Sequence, residues 1–336
     1  MVFKDLNRTL VIAEIGNNHE GDMGAARELV DRAAETGVDA VKFQTFITEK
    51  FTAPLDPARF ARLQKFQLSF DDFAELADRT RSHGLQFIST PLDLDSARFL
   101  GAIVDAMKIA SGDNTYWSLI DIAARAAKPL IISTGISGRD DIAKAAKTTT
   151  DAWADIGHAG DLALLHCIVS YPAPPEFANL RAIPSLAAAF PGHTIGYSDH
   201  TMGLDAAVLS VALGARVIEK HFTLANDYSD FRDHQLSADP EDMKRLVKRV
   251  RTAEALLGPG DIGTQDCERD LIQPVRRSVA AARAVNAGET IGADDIVCIR
   301  PGGGIPPGEE NRAIGRKLKT AIAQGAMITP DMLDAG

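Results

Sequence analysis

The chain has 336 residues, 45% of them hydrophobic, and a formal net charge of −10 from 46 acidic against 36 basic side chains. Such a length supports a large domain plus a small one, and the acidic balance, with no basic block, excludes nucleic acid and anionic membrane as partners of the whole surface. Three widely spaced cysteines, Cys167, Cys267 and Cys298, form no CxxC, and no apolar run has the length of a signal peptide core or a membrane span, so a soluble cytoplasmic protein without disulfides is expected.

From residue 9 to about residue 257 the pattern alternates. The β-branched runs TLVIAEIG, VDAVKFQT, LQFIST, VDAMKIAS, PLIISTG, LALLHCIV, HTIGYS and ARVIEKH are each followed by a helical candidate, as at 24–36, 70–83, 140–148, 204–213 and 242–257. Strands that are apolar throughout are buried on both faces, as in a parallel sheet. Eight such units in about 250 residues fit an α/β fold of the (β/α)8 (TIM) barrel type. Gly16-Asn17-Asn18-His19-Glu20-Gly21 after the first run is not GxGxxG, which removes the best support for a nucleotide-binding dehydrogenase. The expected division is a catalytic barrel over residues 1–258, a linker over 259–275 and a small, turn-rich, mostly β domain over 276–336. The last has strand candidates in RRSVAAARAV, DIVCIRP and KLKTAIAQG.

Residues at the carboxyl ends of barrel strands converge on one mouth. Taken strand by strand they are Glu14, with Asn17, Asn18 and His19 in the loop; Lys42 and Gln44; Ser89 and Thr90; Lys108 and Ser111; Ser133 and Thr134; His166 and Tyr171; Ser198, Asp199 and His200; Glu219 and His221. Two lysines and several hydroxyls on neighbouring strands form a cradle for phosphate and carboxylate oxygens. On the opposite arc stand His200 and His221, with Glu14 beside them because the first and last strands of a barrel are neighbours. A lone histidine there could simply cap its strand. Two converging imidazoles beside carboxylates suit a divalent metal with positions open to water and substrate. An anion cradle facing a metal suggests a phosphorylated nucleophile meeting a polarised carbonyl.

The series AEIGNNHEG, VKFQTF, STPLD, MKIASGD, STG, HCIVSYPAP, IGYSDHTMG and EKHFTL, in this order, resembles the sialic acid synthase family. The segment RRSVAAARAVNAGETI, with RPGGG and AIAQGAMITPDML after it, is similar to that family's antifreeze-like (SAF, β-clip) domain. The resemblance implies an N-acetylneuraminate synthase-like transferase, which condenses phosphoenolpyruvate with an open-chain N-acetylhexosamine. Its product would be a nine-carbon 2-keto sugar acid, N-acetylneuraminate or a legionaminate-like analogue. Phosphate would leave by C–O cleavage, with Mn²⁺, or else Mg²⁺ or Co²⁺, as cofactor. By position, Lys42, Thr90, Lys108, Ser111, Ser133 and Ser198 look like the phosphoenolpyruvate ligands and His200 and His221 like the metal ligands. Gln44, Tyr171, Asp233 and Glu14 look like groups around the sugar. The resemblance also implies a domain-swapped homodimer in which Arg300, in RPGGG, reaches the sugar in the other subunit. Either Glu14 or Glu219 would handle the attacking water, or Glu219 would hold a metal-bound water.

Two departures from the family pattern bear on the acceptor. Val169 stands where N-acetylneuraminate synthases often carry Asn, and SDFRDHQLS replaces a GPDH-type loop, placing Phe231 and Arg232 near the acceptor. The acceptor stays open among N-acetylmannosamine, a diacetylated bacillosamine-derived sugar and another 2-acetamido aldose. Two rival functions are a Schiff-base barrel aldolase with Lys108 or Lys220 as nucleophile, and a non-catalytic carbohydrate-binding protein.

Overall fold

Eight parallel strands close on themselves in sequence order: β1 (Leu10–Gly16), β2 (Ala40–Thr45), β3 (Gln86–Pro91), β4 (Ala106–Ile109), β5 (Leu130–Ser133), β6 (Leu162–Cys167), β7 (Thr194–Asp199) and β8 (Val217–His221). The computed structural model describes residues 3–335; residues 1, 2 and 336, the outer ends of the two expected domains, lie outside them. The chain divides into two compact units, Met1–Gly258 and Pro259–Gly336. Among the described residues no helix is long and apolar enough to cross a membrane.

Side chains of each strand alternate between the barrel interior and the surrounding helices. Inside, Leu10, Ile12, Ala40, Ile88, Ala106, Ile131, Ala163, Leu165 and Val217 form one apolar cluster that also takes in Phe3. Outside, Val11, Ala13, Val41, Phe43, Met107, Leu164 and Ile218 pack against helices such as Met23–Ala34 and Pro240–Leu257. The interior is therefore a packed core up to the carboxyl ends of the strands. There the same inward positions become Glu14, Lys42, Lys108, Ser133, Ser198 and Glu219.

Register sets the neighbours in that polar layer. Glu14 pairs with Lys42 across to β2 and with His221 across to β8, while Ser198 pairs with Glu219. The β1–β2 register shifts between Glu14 and Gly16. Gly16 adopts φ +54°, and a Cβ there would lie 3.1 Å from Glu14 Oε1 and 3.3 Å from Gln44 Nε2, so a bulge that favours glycine brings the backbone close to the two side chains.

The helices match their expected places, with one extension. The candidate at 140–148 runs as Arg139–Asp155, straight through Thr148-Thr149-Thr150. Two of those hydroxyls donate back to carbonyls of the preceding turn, Thr149 to Ala145 and Thr150 to Lys147, so the run continues the helix instead of ending it.

In the second unit, β9 (Ser278–Ala281) and β10 (Ile296–Ile299) form an antiparallel pair over a core that includes Val279, Val285, Ile305, Leu318 and Ile328. The strand expected in KLKTAIAQG is corrected here. Lys317 bridges Thr290, Leu318 bridges Leu333, and Ile322 bridges Val285. Val285 and Thr290 lie on one antiparallel stretch that a turn at Asn286–Glu289 interrupts, and Leu333 lies on another, so the pairing stays as isolated bridges and no continuous strand forms.

The closest steric demand inside the barrel falls on Gly196 of β7. A Cβ there would sit 2.3 Å from the Val217 carbonyl oxygen and 2.4 Å from Leu165 Cδ2. Gly196→Ala is therefore expected to lower stability by about 1–3 kcal/mol. Gly263→Ala, where an added Cβ meets nothing within 4 Å, should stay within about 0.5 kcal/mol of the parent. Urea denaturation of both variants checks this, and equal midpoints would show that the barrel yields at Gly196.

Candidate active site

All the expected site residues except Asp233 and Arg300 line one cavity at the carboxyl mouth of the barrel. They are Glu14, Lys42, Gln44, Thr90, Lys108, Ser111, Ser133, Tyr171, Ser198, His200, Glu219 and His221. Ala110, Gly112, Cys167 and Val169 complete the lining. Of these, Cys167 was legible from strand parity, since it ends β6 in register with Ser198. Another hollow on the barrel unit, lined by Ile168, Ser170, Pro174, Glu176, Phe177 and Asn179, holds a single charged side chain.

The electrostatics centre on Lys42. Its Nζ lies 2.8 Å from Glu14 Oε2 and 3.7 Å from Glu219 Oε1, and donates to Thr90 Oγ1 at 3.2 Å. Burial opposes its charge, but the two carboxylates outweigh burial and raise its pKa. Lys108 Nζ is less well served. It donates to the Ile109 carbonyl at 3.2 Å and lies 3.8 Å from Glu219 Oε2, and burial wins, lowering its pKa. Close to it in the cavity, Ser133 Oγ is buried without a protein partner, and Ser111 Oγ accepts the Gly135 N–H at 3.0 Å, which leaves its own hydrogen to donate. Lys108, Ser111 and Ser133 are thus donors suited to an incoming anion.

The carboxylates differ in their surroundings. Burial lifts Glu14 above the usual range despite Lys42, with Gln44 donating to its Oε1 at 3.2 Å. Burial works on Glu219 in the same sense. There Lys108 and Lys42, with the Ser198 hydroxyl at 3.0 Å, reverse it and hold the group low.

On the other arc the His200 and His221 rings lie 5.4 Å apart, centroid to centroid, tilted by 54°. His200 Nδ1 lies 2.7 Å from the Ile168 carbonyl and so carries the hydrogen, leaving the Nε2 lone pair available. Burial first, and then the neighbouring His200 and Lys42, hold His221 well below the usual imidazole range; its Nδ1 is buried with no protein partner. Among the described residues no three His, Cys, Asp or Glu side chains form a ready cage. The pair fits a divalent ion bound by two imidazoles with its other positions open.

Several residues read from the sequence as mouth groups turn elsewhere. Lys220, a candidate Schiff-base nucleophile, points out of the barrel and is fully buried, 3.0 Å from Asp199 Oδ2 and 2.5 Å from the Thr201 carbonyl. It lies one residue from both inward positions Glu219 and His221, and parity sends it outward. His166 Nε2 donates to the Ala178 carbonyl at 2.9 Å, and Ser89 bonds Thr45 at 2.8 Å, both on the outer side. Asn17 supports Gln44 at 2.8 Å; Asn18 ties the first loop to the Phe222 carbonyl at 2.8 Å. His19 is buried, its Nδ1 accepting the Gly21 N–H, and burial depresses its pKa to about 4.

Asp233 stands on a short helix, Arg232–Leu236, after β8, and burial raises its pKa. Phe231 turns away from the cavity, its ring 5.2 Å from that of Phe66. Arg300 belongs to the second unit, in a loop where the Gly302 N–H donates to the Gln273 carbonyl at 2.7 Å. Sequence reading missed Asn114, whose Nδ2 donates to the carbonyls of Ser133 and Gly135, both at 3.1 Å, and so fixes the turn behind the anion donors. An Asn beside a 3₁₀ turn carries no signal of that role.

Removing Lys220 leaves Asp199 buried without its cation. Lys220→Met is expected to cost about 3–5 kcal/mol of stability, read as a shift in the urea midpoint. A loss under about 1 kcal/mol would mean the hydrogen bonds from Thr201 suffice to hold Asp199.

The chain matches the NeuB family over residues 29–261 and the SAF domain over residues 276–334. It is 43% identical over 312 residues to an uncharacterized protein of Methanocaldococcus jannaschii, covering 93% of this chain and 90% of that one. It is 37% identical over 339 residues to the N,N'-diacetyllegionaminic acid synthase of Legionella pneumophila, covering 97% and 94%. The crystal structure of the N-acetylneuraminic acid synthetase of Leptospira borgpetersenii superposes with a TM-score of 0.74 at 31% identity, over 79% of this chain and 90% of that one.

Proposed function

The chain belongs to the NeuB family, and from that premise we propose that it condenses phosphoenolpyruvate with the open-chain aldehyde of an N-acetylhexosamine, giving a nine-carbon 2-keto sugar acid and phosphate. The observation that carries the reading is the cavity itself. Two buried lysines and hydroxyl donors stand on one arc and two imidazoles on the other, with two carboxylates between.

Phosphoenolpyruvate is placed on Lys42, Lys108, Thr90, Ser111, Ser133 and Ser198. Lys108 and Ser133 supply donors that the protein leaves under-used, which is what a bound phosphate or carboxylate requires. Held there, C3 of the enol ester faces the acceptor aldehyde, and proximity replaces a bimolecular encounter. His200 and His221 would hold a divalent ion, Mn²⁺ as first choice with Mg²⁺ and Co²⁺ as others, and its chemistry would be to polarise the aldehyde carbonyl. C3 bonds to the aldehyde carbon, the positive charge left at C2 takes up water, and the C2–O bond to phosphate then breaks. Lys42 stands between Glu14 and Glu219, so either carboxylate can orient that water beside a fixed positive charge. Gln44, Tyr171 and Asp233 are proposed contacts to the sugar. The Schiff-base alternative keeps only Lys108 as a nucleophile, because Lys220 lies outside the cavity.

The test is phosphate release from phosphoenolpyruvate across a panel of 2-acetamido aldoses, using substrate labelled with ¹⁸O at the bridging oxygen. Label is expected in the phosphate, chelation should stop release, and Mn²⁺ should restore it. Lys108→Ala should raise KM for phosphoenolpyruvate about tenfold to a hundredfold, the equivalent of about 1.5–3 kcal/mol for a charge-assisted bond. Unlabelled phosphate, or full turnover in exhaustively chelated protein, would overturn the mechanism.

The proposal extends to assembly as a homodimer in which Arg300 of the partner subunit contacts the sugar. Mixing His221→Ala protein with Arg300→Ala protein should then restore activity, because a hybrid dimer keeps one intact site. Demonstrated subunit exchange with no activity would place Arg300 outside a shared site.

A further inference from the structure

Above the cavity three side chains stack in a column. The Tyr171 ring lies 4.1 Å from the His200 ring, and the Arg232 guanidinium carbon lies 4.9 Å from the centre of the Tyr171 ring. The guanidinium is thus stacked on a residue that lines the cavity, one ring farther from the imidazoles. Its Nε donates to Asp233 Oδ1 at 3.3 Å, and among the described residues its two terminal nitrogens donate to no protein acceptor. The Arg232 side chain is 68% exposed and that of Asp233 12%. The pair therefore presents fork-like donors beside a nearly buried carboxylate at the rim of the site.

The element that carries the pair is firmly held. Ser237 Oγ donates to the Asp233 carbonyl at 2.5 Å, and Asn226 Nδ2 donates to the carbonyls of His234 and Ser237 at 2.9 and 2.8 Å. His234 bonds Thr223 Oγ1 at 2.6 Å and reaches Glu20 Oε1 at 3.3 Å across to the first loop. A rigid element positions a recognition group better than a mobile loop does.

A donor fork next to a carboxylate is complementary to an amide, whose oxygen accepts and whose N–H donates. We infer that Arg232 and Asp233 read an acetamido group on the acceptor sugar at a carbon remote from the aldehyde, so that a diacetamido hexose is preferred over a sugar with a hydroxyl there. The inference rests on the condensing reading above and names its acceptor class. With the aldehyde at the imidazoles, the column places Arg232 beside a later carbon of the open chain. A phosphorylated sugar fits this pair less well than an amide, because the Asp233 carboxylate stands beside Arg232 and would repel the phosphate.

Phosphate release is measured with N-acetylmannosamine, its 6-phosphate and a diacetamido hexose as acceptors, for the parent, Arg232→Ala and Arg232→Lys. The parent should favour the diacetamido sugar. Arg232→Ala should lower kcat/KM for that sugar about tenfold, and for N-acetylmannosamine less than about threefold, as expected for one charge-assisted hydrogen bond at an exposed rim. Arg232→Lys keeps the charge but loses the fork, and should lose most of the same preference. Equal losses for all acceptors would show that Arg232 only steadies Tyr171, and would overturn the inference while leaving the condensing reading intact. A loss confined to the 6-phosphate would also overturn it, by assigning Arg232 to a phosphate. Release with none of the acceptors in the parent would instead overturn the condensing reading, and this inference with it.

Discussion

A lysine ammonium buried in a closed barrel cannot keep its charge without partners, and the mouth of this barrel is arranged around that constraint. Lys42 is almost wholly buried, and desolvation alone would strip its proton. Glu14 on one neighbouring strand and Glu219 across the cavity hold the charge in place. Those carboxylates then need support of their own, which Gln44 and Ser198 provide, and Asn17 supports Gln44 in turn. Lys108 shares Glu219 at longer range, so the four charges form one coupled network. Breaking one pair would leave a charge uncompensated, which penalises single changes more than loss of the whole set.

Such a network can sit in a barrel only where the apolar layers stop. Below it the interior is filled by Leu, Ile, Val and Ala from alternate positions of the strands. A shift of one residue in any strand would carry its charged group outward among the helices and an apolar residue into the cavity. Asp199 and Lys220 show what the outward environment demands. Placed between strands and helices, they neutralise each other at 3.0 Å and take further hydrogen bonds from Thr201 to Asp199 and from Lys220 to the Thr201 carbonyl. The same residue types thus serve chemistry on one face of a strand and packing on the other.

That parity explains which parts of the site were legible in the sequence. The eight strands, their order and the inward sets were readable because apolar runs and helical spacing are local signals, and strand ends in a barrel converge whatever the loops do. Lys220 illustrates the limit. Its type and position near His221 suggested chemistry, and only counting parity from Glu219 separates it from Lys108. Phe231 is placed near the acceptor by the loop it stands in, yet its ring packs on Phe66, far away in the chain, a contact no local pattern encodes. The KLKTAIAQG segment has the composition of a strand, yet its pairing with the stretch from Val285 to Thr290 is broken by a turn and survives only as isolated bridges, a matter of tertiary pairing that no local pattern encodes. Asn114 acts through two carbonyls, and a backbone acceptor leaves no mark on the sequence.

On the proposed reading, chemistry and selectivity fall to different parts of this mouth. The lysines, carboxylates and His221 stand on strands, where hydrogen-bonded register with a neighbouring strand sets their places. Tyr171, Val169, Arg232 and Asp233 stand in the segments after β6 and β8, where substitution or insertion leaves the ladder untouched. Similar proteins carry different products in their names, diacetyllegionaminic and N-acetylneuraminic acids. The two departures from the sialic acid synthase pattern, at Val169 and in the SDFRDHQLS loop, both lie in these segments, and none falls on the charged network. Under the proposed function, a barrel built this way can hold its reacting groups constant while the rim changes which sugar it admits, since neither Arg232 nor Val169 takes part in keeping Lys42 charged.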